Sequence, residues 1–357
     1  MSINKELQNY PYVRNWSVQS LDIKRYDALC ENWNKSQELI LNIRQCIEKK
    51  ELNSIIQTVA AAGSIGRMEA SPDVSDADLI VVISNEIPLD SADAKAAYQE
   101  VWNAISELNL KSPKQTGVFA QPTNQKQLED SIGKADESLD IFGKRLLLLL
   151  ESQPIYNDPN YIELIDSLVE RYAFKYVKGD AKKEWTLLLN DLIRYFRSLV
   201  VNYQWDFENE HEKWAIRNVK LRHSRIVMYG GLLMLLGEAS KEREDKVTWL
   251  KNNLKMTPLE RIAWVYEQNQ DWNFYRIAGF YNVFLSNLNK QEVRNKLNFN
   301  PESLTTSTES ETYDERYKIP EFSALKANSD ALIAELLRFV LSRRGSWSER
   351  FFEYLLF

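Results

Sequence analysis

Cysteine and histidine are nearly absent from this chain. Two cysteines, Cys30 and Cys46, and two histidines, His211 and His223, are all it has among 357 residues. A disulfide framework and a four-cysteine zinc site are thereby excluded, and a histidine-built metal centre has little to draw on. So few cysteines fit a reducing cytoplasm. No run of about 18 apolar residues occurs, so no membrane span is expected. The opening "MSINKELQNYPYVRNW" is polar and lacks the apolar stretch of a signal peptide. Excess positive charge is lacking too. The net charge is −6 and the isoelectric point is near 5.4, which argues against a nucleic-acid coat or an anionic-membrane binder.

What remains is an ordinary globular composition, 44% hydrophobic and 27% charged, over a length comfortable for two domains. Ten tryptophans and seventeen tyrosines sit mostly in helical patterns, where they serve packing. Leu39, Ile40, Ile43 and Ile47 follow helical spacing. "SIIQTVAAAG" reads as a buried strand ending in glycine, and "ADLIVVIS" as a second. "DSADAKAAYQEVWNAISELNL" reads as a helix capped by Ser91 or Asp90. "QTGVFAQP" reads as a third short strand stopped by Pro122. "ESLDIFGKRLLLLLES" reads as a helix, and "QPIYNDPN" as a turn-rich break. Helical periods then dominate: 160–176, 181–204, 209–238, 241–253, 257–269, 272–288 and 325–344. The polar stretch 299–318 reads as a surface loop. These patterns predict an α+β fold with its boundary near residue 157: a small mixed unit over 1–157, then an all-helical unit over 158–357.

One stretch breaks the ordinary pattern: "AAAGSIGRMEASPDVSDADLIVV", residues 60–82. Asp76 and Asp78 are two apart at the head of a strand, so their side chains share a face while Ala77 turns away. Two parallel carboxylates repel and gain nothing from burial, and a divalent cation between them resolves that. Gly63-Ser64 closes the preceding strand, where glycine lets backbone N–H groups approach a phosphate and the serine hydroxyl adds a bond. There is no Gly-Lys-Ser/Thr, so this is not a Walker loop. A phosphate beside a two-aspartate metal is the apparatus of nucleotidyl transfer.

Gly63-Ser64-x-Gly66-Arg67-x-Glu69 followed by Ser75-Asp76-Ala77-Asp78-Leu79 resembles the signature of the polymerase-β-type nucleotidyltransferase superfamily. Within it the pattern is similar to the PII-protein uridylyltransferase, the glutamine-synthetase adenylyltransferase and a related family of bacterial nucleotidyltransferases. The signature covers about 20 residues. A weaker likeness, through "LLESQPIYND" and the helical "NDLIRYFRSLVVNYQW" and "WAIRNVKLRHSRIVMYGGLLML", extends it to about 55–240. The resemblance implies a small mixed-sheet nucleotidyltransferase domain followed by an all-α domain that binds the acceptor. It implies Mg²⁺ on Asp76 and Asp78, and a nucleoside triphosphate such as ATP on Gly63 and Ser64. Gly66 belongs to the same loop, shaped by Arg67 and Glu69 as an ion pair or on phosphate.

Such enzymes usually carry a third carboxylate on a following strand, and "QTGVFAQP" has none. Glu151 is the best substitute, with Glu129 and Asp130 behind it. In the helical half, Asn190, Arg194 and Arg197 form one polar stripe and Lys213, Arg217, Lys220 and Ser224 another. Either stripe binds triphosphate or an anionic acceptor if it faces the nucleotide. "RNVKLRH" also resembles the motif of HEPN ribonucleases, although about 120° separates Arg217 from His223 on a helix. The function expected is transfer of a nucleoside monophosphate to an acceptor with release of pyrophosphate. The acceptor is a protein, a small molecule or an RNA end, with long nucleic acid disfavoured by the acidic charge. The alternatives are a nucleotide-binding regulator without turnover and a HEPN-type ribonuclease.

Overall fold

A computed structural model describes residues 16–73, 76–111, 116–134, 136–173, 185–209, 211–298 and 318–356. The fold is α+β, mostly helical with a small mixed sheet. The sheet strands are β1 (Ile56–Ala62), β2 (Asp78–Ile83), β3 (Thr123–Asn124) and β4 (Gln153–Tyr156), in the order β3-β2-β1-β4. β1 runs antiparallel to both β2 and β4, and β3 lies parallel to β2.

Both faces of this sheet are buried, which is why its central strands read as continuous apolar runs. Val59, Ala61, Leu79 and Val81 pack on one side against α1 (Asp27–Glu48) and α3 (Ala92–Ala104). The short helical turn α2 (Gly63–Gly66) lies between β1 and β2. Ala60, Ala62, Ile80 and Val82 pack on the other side, into a core that runs on through the whole helical body. That body comprises α4 (Gln125–Asp130), α5 (Leu139–Leu150), α6 (Asp158–Ala173), α7 (Thr186–Asn209), α8 (His211–Lys220) and α9 (Ile226–Ala239). It continues with α10 (Lys246–Leu254), α11 (Pro258–Gln268), α12 (Phe274–Leu288), α13 (Gln291–Leu297), α14 (Pro320–Ser342) and α15 (Glu349–Leu356). Residue 157 therefore marks a change of secondary structure without a gap in the core. α1 ties the two halves further, since the Ala28 and Leu29 N–H groups donate to Asn282 on α12 at 3.0 and 3.1 Å.

The helix starts are legible. Ser91 Oγ accepts from Ala94 N–H, and Thr257 with Glu260 forms a capping box before Pro258. In "QTGVFAQP" the described residues, 116–122, form no strand. Gly117 takes φ +101°, Ala120 N–H closes a turn on the Gly117 carbonyl at 3.0 Å, and Pro122 has no N–H to donate. Only Thr123–Asn124 pairs with β2. The loop expected at 299–318 lies outside the described residues, apart from Lys318. Among the described residues no helix is long and apolar enough to cross a membrane.

Candidate functional site

Asp78 pairs directly with Ala62 across β1 and β2, so it stands beside Gly63. That closeness explains the glycine. Gly63 takes φ +64°, and a Cβ there would lie 2.1 Å from Asp78 Oδ2. Asp76 lies two residues upstream, exposed, on an isolated bridge to Lys111. Both aspartates and Ser64 line one polar cleft of about 400 Å³. Burial raises the Asp78 carboxyl above its usual value; Arg225 and Arg67 oppose this, while the charges of Glu151 and Asp76 add to it.

The Arg67 and Glu69 side chains form an ion pair, Nε to Oε2 at 3.0 Å, buried beneath the loop. Glu69 also accepts from Ser224 Oγ at 2.8 Å and from the Tyr281 hydroxyl, so α2 is clamped to the helical body. Gly66 is required by packing, because a Cβ would lie 2.4 Å from the Glu151 carbonyl oxygen.

Glu151 reaches the site, but with both oxygens engaged. Oε1 accepts the Gly63 N–H at 2.8 Å. Oε2 meets Arg67 Nη1 at 2.6 Å and Arg225 Nη1 at 3.3 Å, and the side chain is wholly buried. This corrects two expectations. The Gly63 N–H is committed to Glu151 and is not offered to phosphate. Glu151, neutralised by two guanidinium groups, braces the loop and is not a free carboxylate. Glu129 faces elsewhere, bonded to Gln125 and Ser167. Asp130 is exposed beside it on α4. Among the described residues no group of three or more His, Cys, Asp or Glu converges to hold a metal. Two carboxylates, waters and substrate phosphates nevertheless suit Mg²⁺, and the mutual repulsion of Asp76 and Asp78 fits a cation between them.

The opposite wall carries the cations. α8 and α9 form one helix interrupted by a π-helical turn, Leu221–Arg225. The widened turn lets Lys220, Ser224 and Arg225 all line the cleft. Lys220 is reached by water yet surrounded by cleft walls. That desolvation, with Arg225 and Arg67 nearby, lowers its ammonium pKa against the opposing pull of Asp76 and Glu69. Arg294 on α13 completes the wall, 2.8 Å from Asp73. Sequence reading missed Arg225 and Arg294. The π turn shifts the helical phase, and nothing in "KLRHSR" announces it.

Arg194 and Arg197 do not reach this cleft. They line a separate cavity with Asn190, because that face of α7 looks toward α5 and α15. His223 is buried and stacks on Phe284 at 4.4 Å between centroids. Its Nδ1 lies 2.8 Å from the Val219 carbonyl, its Nε2 3.0 Å from Asn328 Nδ2, and burial lowers its pKa to about 4. That is a packed neutral histidine, and it does not join Arg217 on an open groove as a ribonuclease pair would. Ser75 lies outside the described residues. No family model, no curated protein and no solved structure matches the chain.

Proposed function

We propose that the cleft transfers a nucleoside monophosphate from a nucleoside triphosphate to an acceptor, releasing pyrophosphate. One observation carries the reading: Gly63-Ser64 and the Asp76–Asp78 pair meet in a single polar cleft walled by Lys220 and Arg225. Mg²⁺ bound to Asp76 and Asp78 would supply charge neutralisation at the phosphates. Ser64 donates its hydroxyl to a phosphate oxygen. Lys220 and Arg225 face the polyphosphate and stabilise the departing pyrophosphate by charge. In the transfer, an acceptor hydroxyl oxygen bonds to the α-phosphorus as the bond from that phosphorus to the oxygen bridging to the β-phosphate breaks; pyrophosphate leaves and the hydroxyl proton passes to solvent. Glu151, Arg67 and Glu69 take no part in bond making. They hold Gly63, and through it the spacing between loop and Asp78.

The test is incubation with each α-labelled triphosphate, Mg²⁺ and cell lysate, followed by detection of the labelled acceptor and released pyrophosphate. Label transfer that disappears in Asp76→Asn/Asp78→Asn supports the reading. Absence of any Mg²⁺-dependent triphosphate binding overturns it. The engagement of Glu151 by two arginines favours one alternative, a nucleotide-binding regulator without turnover. Tight Mg²⁺–triphosphate binding without pyrophosphate release in any lysate would select that alternative.

A further inference from the structure

A second concavity, of about 680 Å³, opens along α7 and shares no lining residue with the aspartate cleft. Its apolar walls are Val118, Leu139, Phe142, Ile193, Leu199 and Val201, from α5, α7 and the turn before β3. Leu139 and Val201 are 74% and 66% exposed. A volume within about 300–1,000 Å³ and walls of this kind are the ordinary setting for a small ligand. Exposed apolar side chains gathered in one place call for an occupant.

The polar groups define its chemistry. Arg194 is already neutralised: it pairs with Glu137 at 2.8 Å and Asp191 at 3.4 Å, and its guanidinium lies 3.9 Å from the centre of the Phe142 ring. Arg197, three residues on, also lines the cavity. It is exposed at the cavity's edge, and among the described residues it makes no ion pair and no hydrogen bond, whereas the less exposed Arg67, Arg225 and Arg294 are matched to carboxylates. An unmatched guanidinium beside apolar walls selects a ligand with one anionic head and an apolar body. The planar fork suits a carboxylate or sulfonate. A nucleotide is a poor fit, since its several charges would lie against hydrocarbon without partners.

We infer that this cavity binds a small amphipathic acid, its anionic head on Arg197 and its aliphatic or aromatic body against Val118, Phe142 and Val201. The inference stands apart from nucleotidyl transfer, because none of these residues lines the aspartate cleft.

The probe is 1-anilinonaphthalene-8-sulfonate, titrated into the full chain by fluorescence and by calorimetry. One equivalent should bind with micromolar affinity. Decanoate should displace it, and Mg²⁺–ATP should leave its affinity within about twofold. Arg197→Ala should weaken it at least tenfold with the thermal melt unchanged, and Arg197→Lys should restore part of the loss. Val201→Trp, which fills the mouth, should weaken it as well. N-phenyl-1-naphthylamine, which lacks the sulfonate, should bind at least tenfold more weakly and ignore Arg197→Ala. Sulfonate binding unchanged by both Arg197→Ala and Val201→Trp overturns the inference. So does equal affinity for the uncharged amine, or displacement of the probe by Mg²⁺–ATP.

Discussion

Replacing Gly63 by alanine probes the packing on which the site depends. Gly63 holds φ +64°, and the left-handed region costs an alanine roughly 1–2 kcal/mol. The new methyl would also lie 2.1 Å from Asp78 Oδ2 and 2.9 Å from its Cγ. Relief requires the carboxylate to swing away or the strand to shift, an overpacking cost of about 1–3 kcal/mol. The expected loss is therefore roughly 2–5 kcal/mol. The two parts separate in a double-mutant cycle. Asp78→Ala removes Oδ2 and Cγ, the two closest atoms, leaving the backbone cost and a tight approach to the residue-78 Cβ at 3.1 Å. Urea unfolding at pH 7 of wild type, both single variants and the double variant should give a coupling of about 1–3 kcal/mol, of relieving sign. Additivity within about 0.5 kcal/mol would show that the two residues do not touch, and would refute a packing role for Gly63 against Asp78.

Four further outcomes are expected. Glu151→Gln leaves Arg67 and Arg225 without their shared carboxylate and should destabilise the fold by about 3 kcal/mol in urea unfolding; a change below about 0.5 kcal/mol would deny it the bracing role. The folded pKa of His223 lies below its unfolded value, so its contribution is complete above about pH 6.5 and falls by roughly 3 kcal/mol as pH drops toward 4; His223→Gln should flatten that slope. Lys144 is buried, its Nζ has no hydrogen-bond partner among the described residues, and its pKa is lowered to about 8. It therefore costs stability at neutral pH, and Lys144→Met should raise the melting temperature at pH 7 with the gain shrinking above pH 8. Asp76→Asn/Asp78→Asn should abolish the melting shift given by Mg²⁺ and ATP while leaving the metal-free melt unchanged or higher. The Asp78 carboxyl is held above its ordinary range, so its ionisation opposes folding, and a large metal-free loss would mark the pair as structural.

The parts of the fold legible in the sequence are those governed by local rules. β1 and β2 carry apolar residues on both faces because helices cover both faces, and β-branched runs bounded by Gly63 and the aspartates announce that directly. Ser91, Thr257 and Pro258 mark helix starts through bonds within one turn. The adjacency of Gly63 and Asp78 follows from antiparallel register, which the pattern implies once both strands are recognised. What failed depends on rotation about a helix axis. Asn190, Arg194 and Arg197 do form one stripe, but a stripe does not say which neighbour it faces, and α7 turns it toward α5. The π turn at Leu221–Arg225 moved Arg225 into the cleft by a single extra residue per turn, a displacement that periodic reading cannot register. Glu151 was found by its place in the chain, yet its role rests on Arg67 and on Arg225, 74 residues away.

The charges of the cleft explain why the brace and the aspartate pair belong together. Arg67 is held by Glu69 and Glu151, Arg225 by Glu151, and Arg294 by Asp73. Among the described residues Asp76 and Asp78 have no such partner, and Lys220 is the cation left facing them. Alone, the unmatched part of the cleft is negative and repels phosphate. A divalent cation on the two aspartates would reverse that sign, so polyphosphate would be attracted only after, or together with, the metal. Desolvation in the cleft disfavours the charged form of both groups, lowering the Lys220 ammonium and raising the Asp78 carboxyl. Glu69 and Glu151 cancel Arg67 and Arg225, and Asp73 cancels Arg294, so the charge that a cation would have to offset is the one by which Asp76 and Asp78 outnumber Lys220.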